Sequence, residues 1–132
     1  MVQWQNLDTL EAYKKLQSLK NLVSVKEELS GSQGAQRVKN YSVPMAAGLT
    51  YNYAAKEVNP QVLAILQELA DEAQVTEKFQ ELYNGAVINT GENRKVLHHL
   101  LRGQLGNDVL FEGKNERDFY KAQIDAIADF AH

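Results

Sequence analysis

The sequence predicts a mainly α domain carrying one short β-hairpin, an α+β chain in which helices dominate. Three observations predict it. Apolar residues recur at three- and four-residue steps along most of the 132 positions. Strict alternation is confined to two adjoining short runs around Ala46-Ala47-Gly48. Only two Pro and eight Gly punctuate the chain.

The first thirty residues read as helical, with Trp4, Leu7, Leu10, Leu16 and Leu19 on one side and Lys14, Lys15 and Lys20 between them. Ser24 and Glu27 stand in the S-x-x-E spacing that lets two side chains cap each other's backbone N–H, so a short helix is expected from Ser24 to Gly31. Ser30 to Gln36 is small and polar and reads as a loop. Tyr41, Val43 and Met45, then Leu49, Tyr51 and Tyr53, alternate with polar or small residues and read as a hairpin. Pro44 has no N–H for a ladder, which puts the first strand at an edge. Asn59 and Pro60 open the clearest helix, whose apolar face is expected to be Val62, Leu66, Leu69 and Ala73. A helix from Thr76 with Phe79 and Leu82 ends at Asn84-Gly85, and Ala86-Val87-Ile88 is an extended link. A further helix is expected from Glu92 to Arg102, stopping at Gly103. Val109-Leu110-Phe111 reads as a short buried run, Glu112-Gly113-Lys114 as a turn, and Asn115 as the cap of a last helix with Tyr120, Ile124, Ile127 and Ala131 on one face. That helix reaches His132 with no stop signal, as expected of a chain cut from something longer.

Residues 1–132 are long enough for one domain, and area scaling would bury about two-thirds of the unfolded surface. The net charge of −3 argues against a duplex-coating or anionic-membrane protein, which would show a basic excess. No Cys is present, which excludes disulfides, zinc ribbons and thiolate catalysis. No apolar run approaches the ~20 residues of a membrane span, and Met1 is followed by no secretory pattern. A cytoplasmic chain is expected.

The densest polar constellation runs from Ile88 to Arg102. On a helix, Arg94, His98 and Arg102 would fall at i, i+4 and i+8, a stripe beside the apolar face Val96, Leu97, Leu100 and Leu101. One reading is an anion site, or a catalytic His flanked by two cations. The other is a structural network tying loops to the helix, and it is the preferred one. His98 and His99 would point about 100° apart on a helix, a poor metal pair beside the i, i+4 spacing that metal sites use. Glu92 suits a first helical turn without any catalytic role. Tyr41, Tyr51 and Tyr53 could stack bases, but no Lys or Arg lies between them to meet phosphates, so packing is expected. Glu68, Asp71, Glu72 and Glu77 read as a solvated acidic face.

The segment INTGENRKVLHHLLR resembles the glucose-6-phosphate isomerase family, which carries a pattern close to I-N-x-T-E-x-R-x-V-L-H-x-A-L-R. Ile88, Asn89, Glu92, Arg94, Val96, Leu97, His98, Leu101 and Arg102 match it. The surrounding order agrees: Trp4-Gln5-Asn6-Leu7 resembles an early W-Q-x-L, Tyr51 to Lys56 the family's two-strand piece, and Tyr83 to Asn89 its F/Y-N/S-G-x-x-I-N entry. The stretch after Arg102 is similar to the family's apolar run, D-G-K turn and long helix. Departures are Gly91 in place of Thr, Asn52 in place of Asp, Ala54-Ala55 in place of Ser-Lys, and a longer stretch from Leu22 to Gln36.

The resemblance implies the N-terminal helical segment that precedes the two sugar-isomerase α/β domains. Enzymes of that family serve glycolysis and gluconeogenesis by interconverting glucose 6-phosphate and fructose 6-phosphate through a cis-enediol. A Glu carries the proton, a His and a Lys assist ring opening, and a Ser/Thr loop holds the phosphate. No residue here matches those groups, so no catalytic, substrate-binding or metal residue and no cofactor is expected in this segment. Asn89, Glu92, Arg94, His98 and Arg102 are expected to be structural, or to act on the site only through other groups. The implied partners are the rest of the isomerase chain and a second subunit of a homodimer, with no nucleic acid and no membrane. The alternative is a free-standing helical module that binds another protein.

Overall fold

A computed structural model describes residues 2–19, 23–103 and 106–131; Met1, Lys20, Leu22 and His132, named above, lie outside them. The chain divides into two compact units, one of Gln3–Ala73 and one of Gln74–His132 together with Met1–Val2. The first holds α1 (Glu11–Ser18), α2 (Val25–Ser30), α3 (Gly34–Asn40), β1 (Ser42–Pro44), β2 (Thr50–Asn52) and α4 (Pro60–Glu72). The second holds α5 (Val75–Tyr83), β3 (Val87–Asn89), β4 (Arg94–Lys95), β5 (Leu110–Phe111), β6 (Lys114–Asn115) and α6 (Glu116–Ala131). Helices dominate, as the sequence predicts. Among the described residues the strands form three two-stranded antiparallel sheets, two more than expected.

In the first unit α1 packs along α4, and Leu10, Ala12, Val62 and Ile65 form the buried seam. Asn59 caps α4 as expected: its Oδ1 accepts the Val62 N–H at 2.8 Å, with Pro60 in the first turn. The inward face uses Ile65 in place of the expected Leu66, which is exposed. The early helix is shorter than its periodicity suggests, because residues 7–9 form a 3-10 turn and Leu10 is extended. Leu10 has no side chain that could cap α1. The Glu72 carboxylate does so from α4, accepting the Glu11 N–H at 3.0 Å and the Ala12 N–H at 2.8 Å. Those two backbone donors hold its pKa below the ordinary carboxylate value. Lys15 Nζ pairs with Glu68 at 2.6 Å across the same interface. Half of the expected solvated acidic face therefore ties two helices together.

Ser24 precedes α2 and Gly31 ends it, but Ser24 makes no side-chain cap bond, so the reciprocal pair with Glu27 does not form. Part of the expected loop is instead α3, which brings Arg37 inside at 5% exposure. Its Nε donates to Ala54 O (2.9 Å), and its Nη2 donates to Lys56 O (3.0 Å) and Val58 O (2.9 Å). Tyr41 stacks on the guanidinium at 4.3 Å, and Glu28 approaches it at 3.5 Å. This one side chain fixes the path from β2 to α4. The hairpin pairs Val43 with Tyr51, and Ala47 and Gly48 both take left-handed conformations in its connection. Tyr53 packs against both Tyr41 and Tyr51, the packing role expected of the three rings.

In the second unit α5 ends in a Schellman motif. The Gly85 N–H donates to Leu82 O (3.0 Å) and the Ala86 N–H to Glu81 O (2.9 Å), with Gly85 at φ +78°. A Cβ at Gly85 would overlap the fully buried Val109, so this position needs Gly twice over. Of the apolar run Val109 to Phe111 only Val109 is buried, because Leu110 and Phe111 form an exposed two-residue strand. Asn115 caps α6 as expected, its Oδ1 accepting the Arg117 N–H at 3.2 Å and also the Val109 N–H at 3.3 Å. Along α6, Ile127 is 67% and Phe130 94% exposed.

Candidate functional site

The Ile88 to Arg102 constellation folds as a hairpin and a 3-10 turn, in place of the expected helix from Glu92 to Arg102. β3 and β4 pair Val87 with Lys95 and Asn89 with Arg94, with an irregularity between the two pairs. Asn89 makes the turn: its Oδ1 accepts the Glu92 N–H at 3.2 Å and its Nδ2 donates to Glu92 Oε2 at 3.2 Å. Asn93 then turns the chain at φ +53°, a conformation Asn tolerates and a helix interior does not. Arg94 Nη1 lies 3.7 Å from Glu92 Oε2, with both side chains exposed. Lys95 Nζ donates to Leu110 O at 2.8 Å and sits over the Phe111 ring.

The stripe of Arg94, His98 and Arg102 therefore does not exist. Arg94 is on β4, while His98 and Arg102 lie in the 3-10 turn His98–Arg102, both exposed. Of the five motif residues, the structure brings Asn89, Glu92 and Arg94 together and leaves His98 and Arg102 apart from them. The turn buries Leu100 completely and ends at Gly103, as expected. Of the two described histidines, His99 has the defined place. Its Nε2 donates to Tyr83 O at 3.0 Å and its ring stacks on Tyr83 at 4.4 Å. Among the described residues no three of His, Asp and Glu converge as a metal would require.

Beside the hairpin a hollow of ≈ 350 Å³ is lined by Arg94, Lys95, Phe111 and Glu116, with Val87 and Leu97 as apolar walls. Two cations and one carboxylate around an apolar floor can hold a polar chain segment. The described arrangement supplies no carboxylate–His pair or activated nucleophile to do chemistry on it.

The family model of phosphoglucose isomerase matches residues 52–132. The chain belongs to the phosphoglucose isomerase family. Among curated relatives, the glucose-6-phosphate isomerase of Treponema denticola is 46% identical over 98% of this chain and 26% of its own length. Those of Borrelia garinii subsp. bavariensis and Treponema pallidum are 42% and 43% identical, covering 99% and 97% of this chain and 24% of each relative. The chain spans about a quarter of the length of the curated relatives it matches. The structure also accounts for one departure from the family pattern. Asn52 donates from Nδ2 to Val38 O at 2.7 Å and accepts the Ala54 N–H at 3.1 Å, so its amide serves as donor and acceptor where an ionised Asp could only accept.

Sequence reasoning missed the roles of Glu72 and His99 and did not single out the buried Arg37 and Arg117. For three of them the hydrogen-bond partners are 16 to 61 positions away, beyond the reach of a local signal. Arg117 carried a signal: a cation in the first turn of a helix opposes the helix dipole.

Proposed function

We propose that this chain is the N-terminal part of a glucose-6-phosphate isomerase and that it supplies scaffold to that enzyme, with the reacting groups carried elsewhere in it. The observation that carries the reading is the lopsided coverage. Relatives bearing that name match this chain over nearly all its length, while it accounts for about a quarter of theirs. The polar motif fits the same role. Asn89, Glu92 and Arg94 satisfy one another on an exposed hairpin, as residues do when they shape a turn for other segments to meet. The rest of the isomerase polypeptide then covers the outer face of α6, and the assembled enzyme is a cytoplasmic homodimer. A coupled assay converting fructose 6-phosphate to glucose 6-phosphate tests the division of labour. The 132-residue chain reads background at high concentration; turnover that survives removal of host isomerase would refute the proposal.

A further inference from the structure

We propose that Arg117 is an oxyanion site, its two terminal nitrogens taking a carboxylate or a phosphate that enters beside Gly106. Arg117 is 5% exposed, yet both Nη1 and Nη2 are buried without a hydrogen-bond partner, and its Nε alone is satisfied, by Asn107 O at 2.7 Å. No carboxylate among the described residues pairs with it. The other buried arginine, Arg37, shows what completion looks like in this protein, with three carbonyls, a ring and a carboxylate around it. A guanidinium keeps its charge when buried, so the missing acceptors have to be supplied rather than avoided by losing a proton. Its fork geometry suits an acceptor with two oxygens. The first turn of the sixteen-residue α6, where Arg117 sits, adds positive potential to the same place.

Gly106 is at φ +92°, and a Cβ there would lie 3.0 Å from Nη2 and 3.3 Å from the Tyr83 ring. A glycine therefore stands where any side chain would press on the guanidinium. Gly106 and Tyr83 also line a neighbouring, mostly apolar hollow of ≈ 380 Å³ whose other walls are Thr76, Phe79, Gln80 and Asn84. Hydroxyl and amide groups in that hollow can bond the remainder of an anion whose oxygens reach Arg117. The proposal does not depend on the isomerase reading.

The test is a thermal melt of the 132-residue chain in chloride, inorganic phosphate and acetate at equal ionic strength, phosphate representing a phosphoryl group and acetate a carboxylate. Phosphate or acetate raises the midpoint saturably, by about 3 to 6 °C at ten times its dissociation constant. Arg117→Met abolishes the rise, whereas Lys39→Gln, which removes an exposed cation, keeps it. The ion giving the larger shift identifies the source. An unchanged midpoint in both ions, or an equal rise in Arg117→Met, overturns the proposal. Should Arg117→Met fail to fold, the Arg117 side-chain nitrogen resonances of the unsubstituted chain decide. They shift on titration with the stabilising ion, and their staying fixed at saturating concentration overturns the site.

Discussion

Because the His99 ring is stacked on Tyr83 and bonded to its carbonyl, cutting it back removes a ring contact and leaves a half-buried acceptor without its donor. His99→Ala is expected to cost about 1 to 2 kcal/mol of stability. His98→Ala, at an exposed position, is expected to stay within about 0.5 kcal/mol. Urea denaturation of the two variants checks this, and a reversed order would mean that the 3-10 turn presents the other ring. The family motif drew attention to His98, whereas its neighbour has the definite surroundings. At this scale the sequence was legible wherever the partner is near in the chain. Asn59 and Asn115 cap helices through N–H groups two or three positions on, and the Gly85 and Ala86 N–H groups close α5 on carbonyls three and five positions back. The carbonyls that Arg37 donates to lie 17 to 21 positions on, and nothing in a small polar stretch announces a buried guanidinium.

Among elements, the docking of α1 on α4 rests partly on one carboxylate. The Glu72 pKa is lower in the folded chain than in the unfolded one. Its contribution is therefore complete above the ordinary carboxylate value and is lost as pH falls through the lowered one. Denaturation midpoints of the unsubstituted chain should fall more steeply on acidification, from about pH 6 to pH 2, than those of Glu72→Gln. Equal slopes would show that the cap contributes nothing. Long elements with local start signals were readable, α4 and α6 above all. The region from Glu92 to Arg102 was not, for a physical reason: Val96, Leu97, Leu100 and Leu101 fit one helical face, but a single 3-10 turn also accommodates that spacing. The choice was made by the Asn89–Glu92 bonds, the left-handed Asn93 and the reach of Lys95 to Leu110. β5 and β6, two residues each, carry too little pattern to read.

For the whole molecule the decisive quantity is area. The chain leaves 10273 Å² accessible. Two independent monomeric domains of half its mass would together expose about 8,500 Å² by area scaling. Exposed Phe79, Phe111, Phe119, Ile127 and Phe130 all belong to the second unit. Large apolar side chains left exposed in this way are what an interface would cover. The isolated chain is accordingly expected to self-associate, with a sedimentation coefficient that rises with concentration, and Phe130→Glu should weaken the rise. A clean monomer at high concentration with no binding of an apolar dye would contradict this.

The cap on α1 also sets a schedule. An eight-residue helix is too short to persist alone in water, and the carboxylate that closes its first turn lies 61 positions downstream. At translation rates of 5 to 20 residues per second, the ribosome needs about 3 to 12 s to make that stretch. Until Glu72 has cleared the exit tunnel, α1 lacks the carboxylate that closes its first turn. It remains available to chaperones and proteases for that interval.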